Sequence, residues 1–148
     1  MRKFKIVSFI LYLFVAIITL AMSTRFLIAK EYFVYHAQAS GISWVDVNPG
    51  LQTVFLALFK VCGAGFLAVA ISLILMIIFP FAKFNHRWSF YAIPVCGIIF
   101  WSIIFATTLY VTLLTPANAP WIPSLINIIL FVAGYVFSML DRTHDSTT

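Results

Sequence analysis

Hydrophobic residues run along this chain in blocks longer than soluble helices need, and charges gather where the blocks stop. A helix rises 1.5 Å per residue, so about 20 apolar residues cross about 30 Å of hydrocarbon. The first block, Ile6 to Thr24, lies between Lys5 and Arg25, and its clearly polar members are Ser8, Thr19, Ser23 and Thr24. The second is uncharged from Val61 to Ala82. Its helix is expected to start earlier, at Asn48-Pro49-Gly50, where Asn48 can cap and Pro49 can take the first helical position without losing a hydrogen bond. From Pro49 to Ile78 is about 45 Å of helix. That exceeds the hydrocarbon, so the helix should tilt, bend near Gly63 and Gly65, or project beyond the lipid.

No charge occurs from Trp88 to Leu140, but three prolines between Thr115 and Pro123 break the stretch into a hairpin. Pro94 and Pro123 then fall in first turns, where proline is tolerated. The pattern predicts an all-α, polytopic membrane protein: a four-transmembrane-helix bundle forming one membrane domain. Its helices should run over about residues 5–26, 49–80, 90–114 and 122–140, with a polar tail at 141–148. The basic start, the first apolar block and the small residues Ala21 and Ser23 also resemble a signal peptide. The block is longer than the roughly 7 to 15 residues of a signal core, so retention as the first helix is expected.

Composition strengthens the membrane reading, because 64% of the chain is hydrophobic and 9% charged, against about 25% charged in soluble domains. The net charge of +5 does not indicate nucleic acid, since the basic residues sit at helix ends and form no stripe. They serve better as topology signals. Arg2, Lys3, Lys5, Lys83, Arg87 and Arg142 fall on one side, and Arg25, Lys30 and Lys60 on the other. The larger group marks the cytoplasmic face, giving N-in/C-in topology. Trp88 and Tyr91 would line the inner boundary, and Trp44 and Trp121 the outer. Short loops suit a bacterial plasma membrane.

The outer loop from Lys30 to Val47 mixes Tyr32, Phe33, Val34 and Tyr35 with polar residues. Such a loop is amphipathic. It can form a short helix on the outer leaflet or over the bundle, or a membrane-wetted connector; the connector is the simpler reading.

Lys60 draws attention because an ionisable group in a membrane helix is a functional candidate. Counting from the inner boundary puts it at the outer edge of the hydrocarbon, where lysine can snorkel. Against that, Lys60, Ala64, Ala68 and Ser72 recur every four residues, a small-residue spacing typical of packed faces, so Lys60 is expected to point inward. Arg25 should lie at similar depth, giving two cations at the outer mouth. Glu31, His36 and Asp46 in the loop are candidate partners, and an external anion such as a lipid phosphate is another. Thr107, Thr108, Tyr110, Thr112 and Asn127 can complete a polar pocket below, or else the threonines bond their own helix and Asn127 joins two helices.

Other chemistry finds little support. Cys62 and Cys96 form no C-x-x-C pair and fall at different depths. His36, His86 and His144 lie in separate regions, so no metal, haem or other cofactor is expected. The four spans contain no Asp or Glu, which weighs against carboxylate-coupled transport. Hydrolase, zincin and phosphate-loop motifs are absent, so enzyme activity is not expected. The sixteen phenylalanines, with Trp101, Tyr110 and Tyr135, read as lipid contact and core packing.

The leading expectation is an accessory or small-ligand-binding membrane protein whose outer mouth takes an anionic lipid headgroup or a partner. The Ala64, Ala68 and Ser72 face would close the monomer or join a second copy or membrane protein. The alternative is an oligomeric transporter or channel lined by Thr108, Thr112 and Asn127. An enzyme would need His36 or Asp46 to fold over Lys60.

Overall fold

The structure, a computed structural model, describes residues 3–143. It contains five α-helices: α1 (Lys3–Leu27), α2 (Val34–Ser40), α3 (Pro49–Met76), α4 (Ser89–Leu114) and α5 (Trp121–Thr143). A 3-10 turn, Trp44–Asp46, precedes α3, and a π-helical segment, Ile77–Lys83, continues it. Four helical stretches, Lys3–Leu27, Pro49–Lys83, Ser89–Leu114 and Trp121–Arg142, are long and apolar enough to cross a membrane.

The start of α3 follows its sequence signal. Asn48 Oδ1 accepts from the Gly50 N–H at 2.8 Å, and Pro49 opens the helix. The irregular turn of this long helix is the π segment around Pro80. Proline has no N–H to donate and crowds the preceding turn, which widens. The Phe84 N–H accordingly reaches back to the Phe79 carbonyl at 2.9 Å, and the His86 N–H to the Pro80 carbonyl at 2.7 Å. The wide turn buries Phe81 completely, its ring edge-on to Tyr12 at 5.7 Å and near Phe90 at 5.0 Å.

Helix α1 packs against both α3 and α5, and α5 against α4, whereas α3 and α4 scarcely touch. The π segment links α3 to α4 at the end that carries Lys3 and Thr143. Midway along, Phe66 meets Phe100 at 5.0 Å and Trp101 at 6.1 Å. Small residues allow the closest approaches. Ser23 Oγ donates to the Gly63 carbonyl at 2.8 Å, and a Cβ on Gly63 would stand 3.0 Å from the Leu27 nitrogen.

Gly63, Phe66, Ala70 and Leu73 therefore form the buried face of α3. Lys60, Ala64, Ala68 and Ser72 are exposed on the other side. The expectation that this small-residue face closes the monomer, with Lys60 inward, is corrected: a four-residue spacing marks one side of a helix but does not tell which side has a neighbour.

The last helix corrects a second expectation. It continues through Asp141 and Arg142 to Thr143, so the polar tail does not begin at Asp141; residues 144–148 lie outside the described residues. Asp141 is buried there. Nearby, the buried Lys5 Nζ donates to Asn85 Oδ1 at 2.8 Å, and Arg142 donates to the Tyr91 hydroxyl at 3.2 Å.

Candidate functional site

Because α3 and α4 diverge at the end carrying α2, the four long helices leave a cavity of about 500 Å³ there. Ile18, Met22 and Phe26 of α1, Phe59 and Phe66 of α3, and Ile104 of α4 supply apolar walls. Its volume falls in the range of about 300–1,000 Å³ usual for small-molecule sites.

The segment for which the connector was the simpler reading instead forms α2 and roofs this cavity, the other of the two readings of the loop. Aromatic contacts hold it down. The Phe33 ring stacks on Phe59 at 5.1 Å and meets Phe26 edge-on at 5.1 Å, and His36 lies 5.2 Å from Phe59. Gly41 ends α2 with φ +69, a left-handed conformation that glycine adopts without a Cβ penalty. Beyond it, the buried Tyr32 donates its hydroxyl to the Ile42 carbonyl. The Asn118 N–H donates to Gln38 Oε1 at 3.4 Å, joining the roof to the turn between α4 and α5.

Arg25 is the one cation lining the cavity, and no carboxylate lines it among the described residues. Its guanidinium lies over the Phe33 ring at 4.7 Å, an arrangement that orients the group without neutralising it. Arg25 also lines an adjoining groove of about 350 Å³ with Tyr35, Gln38 and Asn118. The guanidinium thus stands at the junction of groove and cavity. Beside it, burial pushes the Tyr35 phenol up to about 12, while nearby Arg25 pulls the other way. Burial also lowers the His36 imidazole from its ordinary value, partly offset by the Phe33 carbonyl. His36 Nδ1 is buried with no hydrogen-bond partner.

Farther in, Trp101 and Asn127 line the same cavity. They are 3% and 2% exposed, and neither Trp101 Nε1 nor Asn127 Oδ1 has a hydrogen-bond partner. The threonine hydroxyls are already engaged. Thr107 donates to the Ile103 carbonyl at 2.9 Å and Thr108 to the Ile104 carbonyl at 2.8 Å. Besides the threonines, the side chains with polar atoms that line the cavity are Arg25, Tyr35, His36, Trp101, Ser124 and Asn127.

Of the residues singled out from sequence, Arg25, His36, Thr108 and Asn127 come together in this cavity, and Lys60, Glu31, Asp46 and Thr112 stay outside it. Lys60 Nζ instead donates to the Leu27 carbonyl at 3.4 Å, at the C-terminus of α1. A cation is favourable there because the last carbonyls of a helix lack intrahelical partners. Glu31 is exposed. Asp46 accepts from Ser43 Oγ at 2.5 Å and borders a separate hollow of about 490 Å³ beyond His36. Thr112 donates to the Thr108 and Ala119 carbonyls, at 3.0 and 3.4 Å.

Trp101 was assigned to packing from sequence and proves to be a wall of the site. Its spacing carried a signal: Trp101, Ile104 and Thr108 recur at three- and four-residue steps and so share a helix face. A buried indole N–H also ordinarily finds a partner.

Against known proteins, the chain matches no family model, no curated sequence and no solved structure.

Proposed function

We propose that this chain is a four-span protein of a plasma membrane, bacterial in its economy of loops, with both ends in the cytoplasm. We propose further that its outer-leaflet cavity holds an anionic amphiphile. The topology reading rests on four helices with spanning length and composition and on the basic residues concentrated at the termini and the π-segment end.

The single observation that carries the ligand reading is the roofed cavity of about 500 Å³, with apolar walls and a guanidinium that, among the described residues, shares the lining with no carboxylate. An acyl or isoprenoid chain suits the walls. A phosphate or carboxylate suits Arg25, whose planar fork binds such groups through two hydrogen bonds. Because α2 covers the water-facing end and α3 and α4 scarcely touch, the gap between those helices is the natural route from the bilayer. The partner class is therefore membrane lipid, and the activity is binding or presentation, not catalysis.

Lipid identification by native mass spectrometry tests this reading. An anionic amphiphile should be retained by the native protein and depleted in Arg25→Gln. Equal retention by both would remove the role given to Arg25. The channel reading is less favoured because Thr112 lies outside the cavity, so Thr108, Thr112 and Asn127 do not form one continuous lining. The exposed Ala64, Ala68 and Ser72 stripe is left for a second copy or another membrane protein.

A further inference from the structure

We infer that the groove beside the cavity is a headgroup subsite for an amphiphile with one negative charge and a hydroxyl-bearing tip, the chemistry of a phosphoglycerol diester. This inference rests on the reading of the cavity as a lipid site and adds the class of headgroup. Groove and cavity share Arg25, Phe26 and Tyr35 in their linings, and the groove adds Gln38 and Asn118. A chain lying in the cavity therefore leads to a headgroup in the groove.

Charge sets the first requirement. Among the described residues, Arg25 is the one charged side chain in the groove lining. It is exposed, and its contact with the Phe33 ring at 4.7 Å consumes none of its N–H donors. One guanidinium balances one negative charge, so a phosphodiester fits better than a phosphomonoester, which carries about −1.5 to −2 at pH 7. An ammonium tip finds no carboxylate in this lining. The rings that border the groove are already engaged, Phe33 by Arg25 and Tyr35 by His36 at 4.0 Å.

Uncharged hydrogen-bonding groups set the second. Gln38 and Asn118 line the groove and are exposed, so a ligand can reach them. Gln38 Oε1 accepts from the Asn118 backbone N–H at 3.4 Å. That bond fixes the two residues beside each other and leaves the Gln38 amide nitrogen and the whole Asn118 carboxamide for a ligand. Carboxamides both donate and accept, and hydroxyls do the same. Neutral partners of this kind hold a hydroxylated tip without competing with Arg25 for the phosphate.

Competition among three lipids with identical acyl chains and phosphoglycerol, phosphoethanol or phosphoethanolamine headgroups, read by native mass spectrometry on delipidated full-length protein, tests the inference. The native protein should prefer the glycerol lipid to the ethanolamine lipid by about fivefold, the upper end for an exposed charge pair, with the ethanol lipid between them. Asn118→Leu keeps the backbone N–H and should bring the glycerol and ethanol lipids toward parity. Gln38→Glu keeps an acceptor for that N–H, supplies the missing carboxylate, and should turn the preference toward ethanolamine; lipid binding also reports that each variant is folded. Equal binding of the glycerol and ethanol lipids to the native protein, both above ethanolamine, would overturn the hydroxyl-bearing tip and leave the anionic lipid site standing. Equal binding of all three would overturn the charge requirement as well. A native preference that survives both substitutions would overturn the assignment to the groove. Displacement of the glycerol lipid by free glycerol phosphate at equal concentration would make this a site for a soluble phosphate. Failure of the native protein to bind any of the three lipids would overturn the lipid reading, and either result would take this inference with it.

Discussion

The ring of Phe131 occupies the space that any side chain on Gly97 would need: a Cβ built there would stand 2.2 Å from Phe131 Cζ. Phe131 is fully buried and also packs against Tyr12 at 5.8 Å, so the ring has little room to retreat. Tyr12 in turn fills the space beside Gly134, where a Cβ would stand 2.5 Å from Tyr12 Cε1. These ring-on-glycine contacts hold α1, α4 and α5 together below the cavity.

Gly97→Ala is therefore expected to destabilise the protein by about 1–3 kcal/mol, the usual cost of overpacking. Thermal unfolding in detergent measures it. Gly65→Ala is the control, since a Cβ there meets nothing within 4 Å, and its midpoint should stay close to that of the native protein.

Ser23→Ala removes the hydroxyl that donates to the Gly63 carbonyl at 2.8 Å. Hydrogen bonds between membrane helices average about 0.6 kcal/mol. A loss of that order, read by the same unfolding measurement, is expected without any change in bound lipid, because neither Ser23 nor Gly63 lines the cavity.

The roof should respond to acid. Burial lowers the His36 pKa, so the unfolded chain takes up the proton at a higher pH than the folded one. The stability of the docked neutral imidazole is thus intact above about pH 6.5, the unfolded value. It is lost progressively as pH falls from there toward the lowered folded pKa. Arg25 lines the same cavity and would oppose a charged imidazole. Amide exchange in Val34–Ser40 should therefore speed up on acidification, beyond the intrinsic pH effect, and His36→Leu should abolish that excess. Equal pH dependence in both proteins would contradict the role of His36.

Much of the architecture was legible in the sequence, for physical reasons that also explain what was not. Run length exposed the four long helices because crossing lipid demands about 20 apolar residues. Asn48-Pro49-Gly50 announced the start of α3 because capping is local chemistry. The facing of α3 was hidden, since lipid tails are as apolar as a packed core and the pattern loses the contrast it has in water. Gly63 and Ala64 are neighbours of similar size, yet Gly63 is buried and Ala64 exposed. The roof was hidden for another reason: its docking depends on Phe33 meeting Phe26 and Phe59, contacts set by tertiary packing. In the site, Arg25 and Asn127 could be suspected from their position in apolar helices. Trp101 could not be separated from the other aromatics without its unpartnered Nε1.

Topology has its own test. In a background lacking Cys62 and Cys96, single cysteines at Ser40 and His86, both exposed, should react differently with an impermeant thiol reagent applied to intact cells. Ser40→Cys should be labelled and His86→Cys spared. Labelling of His86→Cys with Ser40→Cys protected would invert the orientation and put the cavity in the inner leaflet.

Lys60 supplies an informative contrast to Arg25. Its ammonium contacts the Leu27 carbonyl from outside the cavity. Lys60→Ala should therefore cost about 0.3–1 kcal/mol of stability, typical of a charge at a helix terminus, while leaving bound lipid as it is in the native protein. Loss of lipid in Lys60→Ala would return it to the binding site.

The most direct measurement is lipid retention when the cavity is filled. Thr108 lines the cavity and is only partly buried, so Thr108→Trp places an indole in the space assigned to the chain. Native mass spectrometry of gently extracted protein should find an anionic amphiphile on the native form and little or none on Thr108→Trp, with both unfolding at similar temperatures. The same lipid bound at the same occupancy in the filled variant would contradict the account.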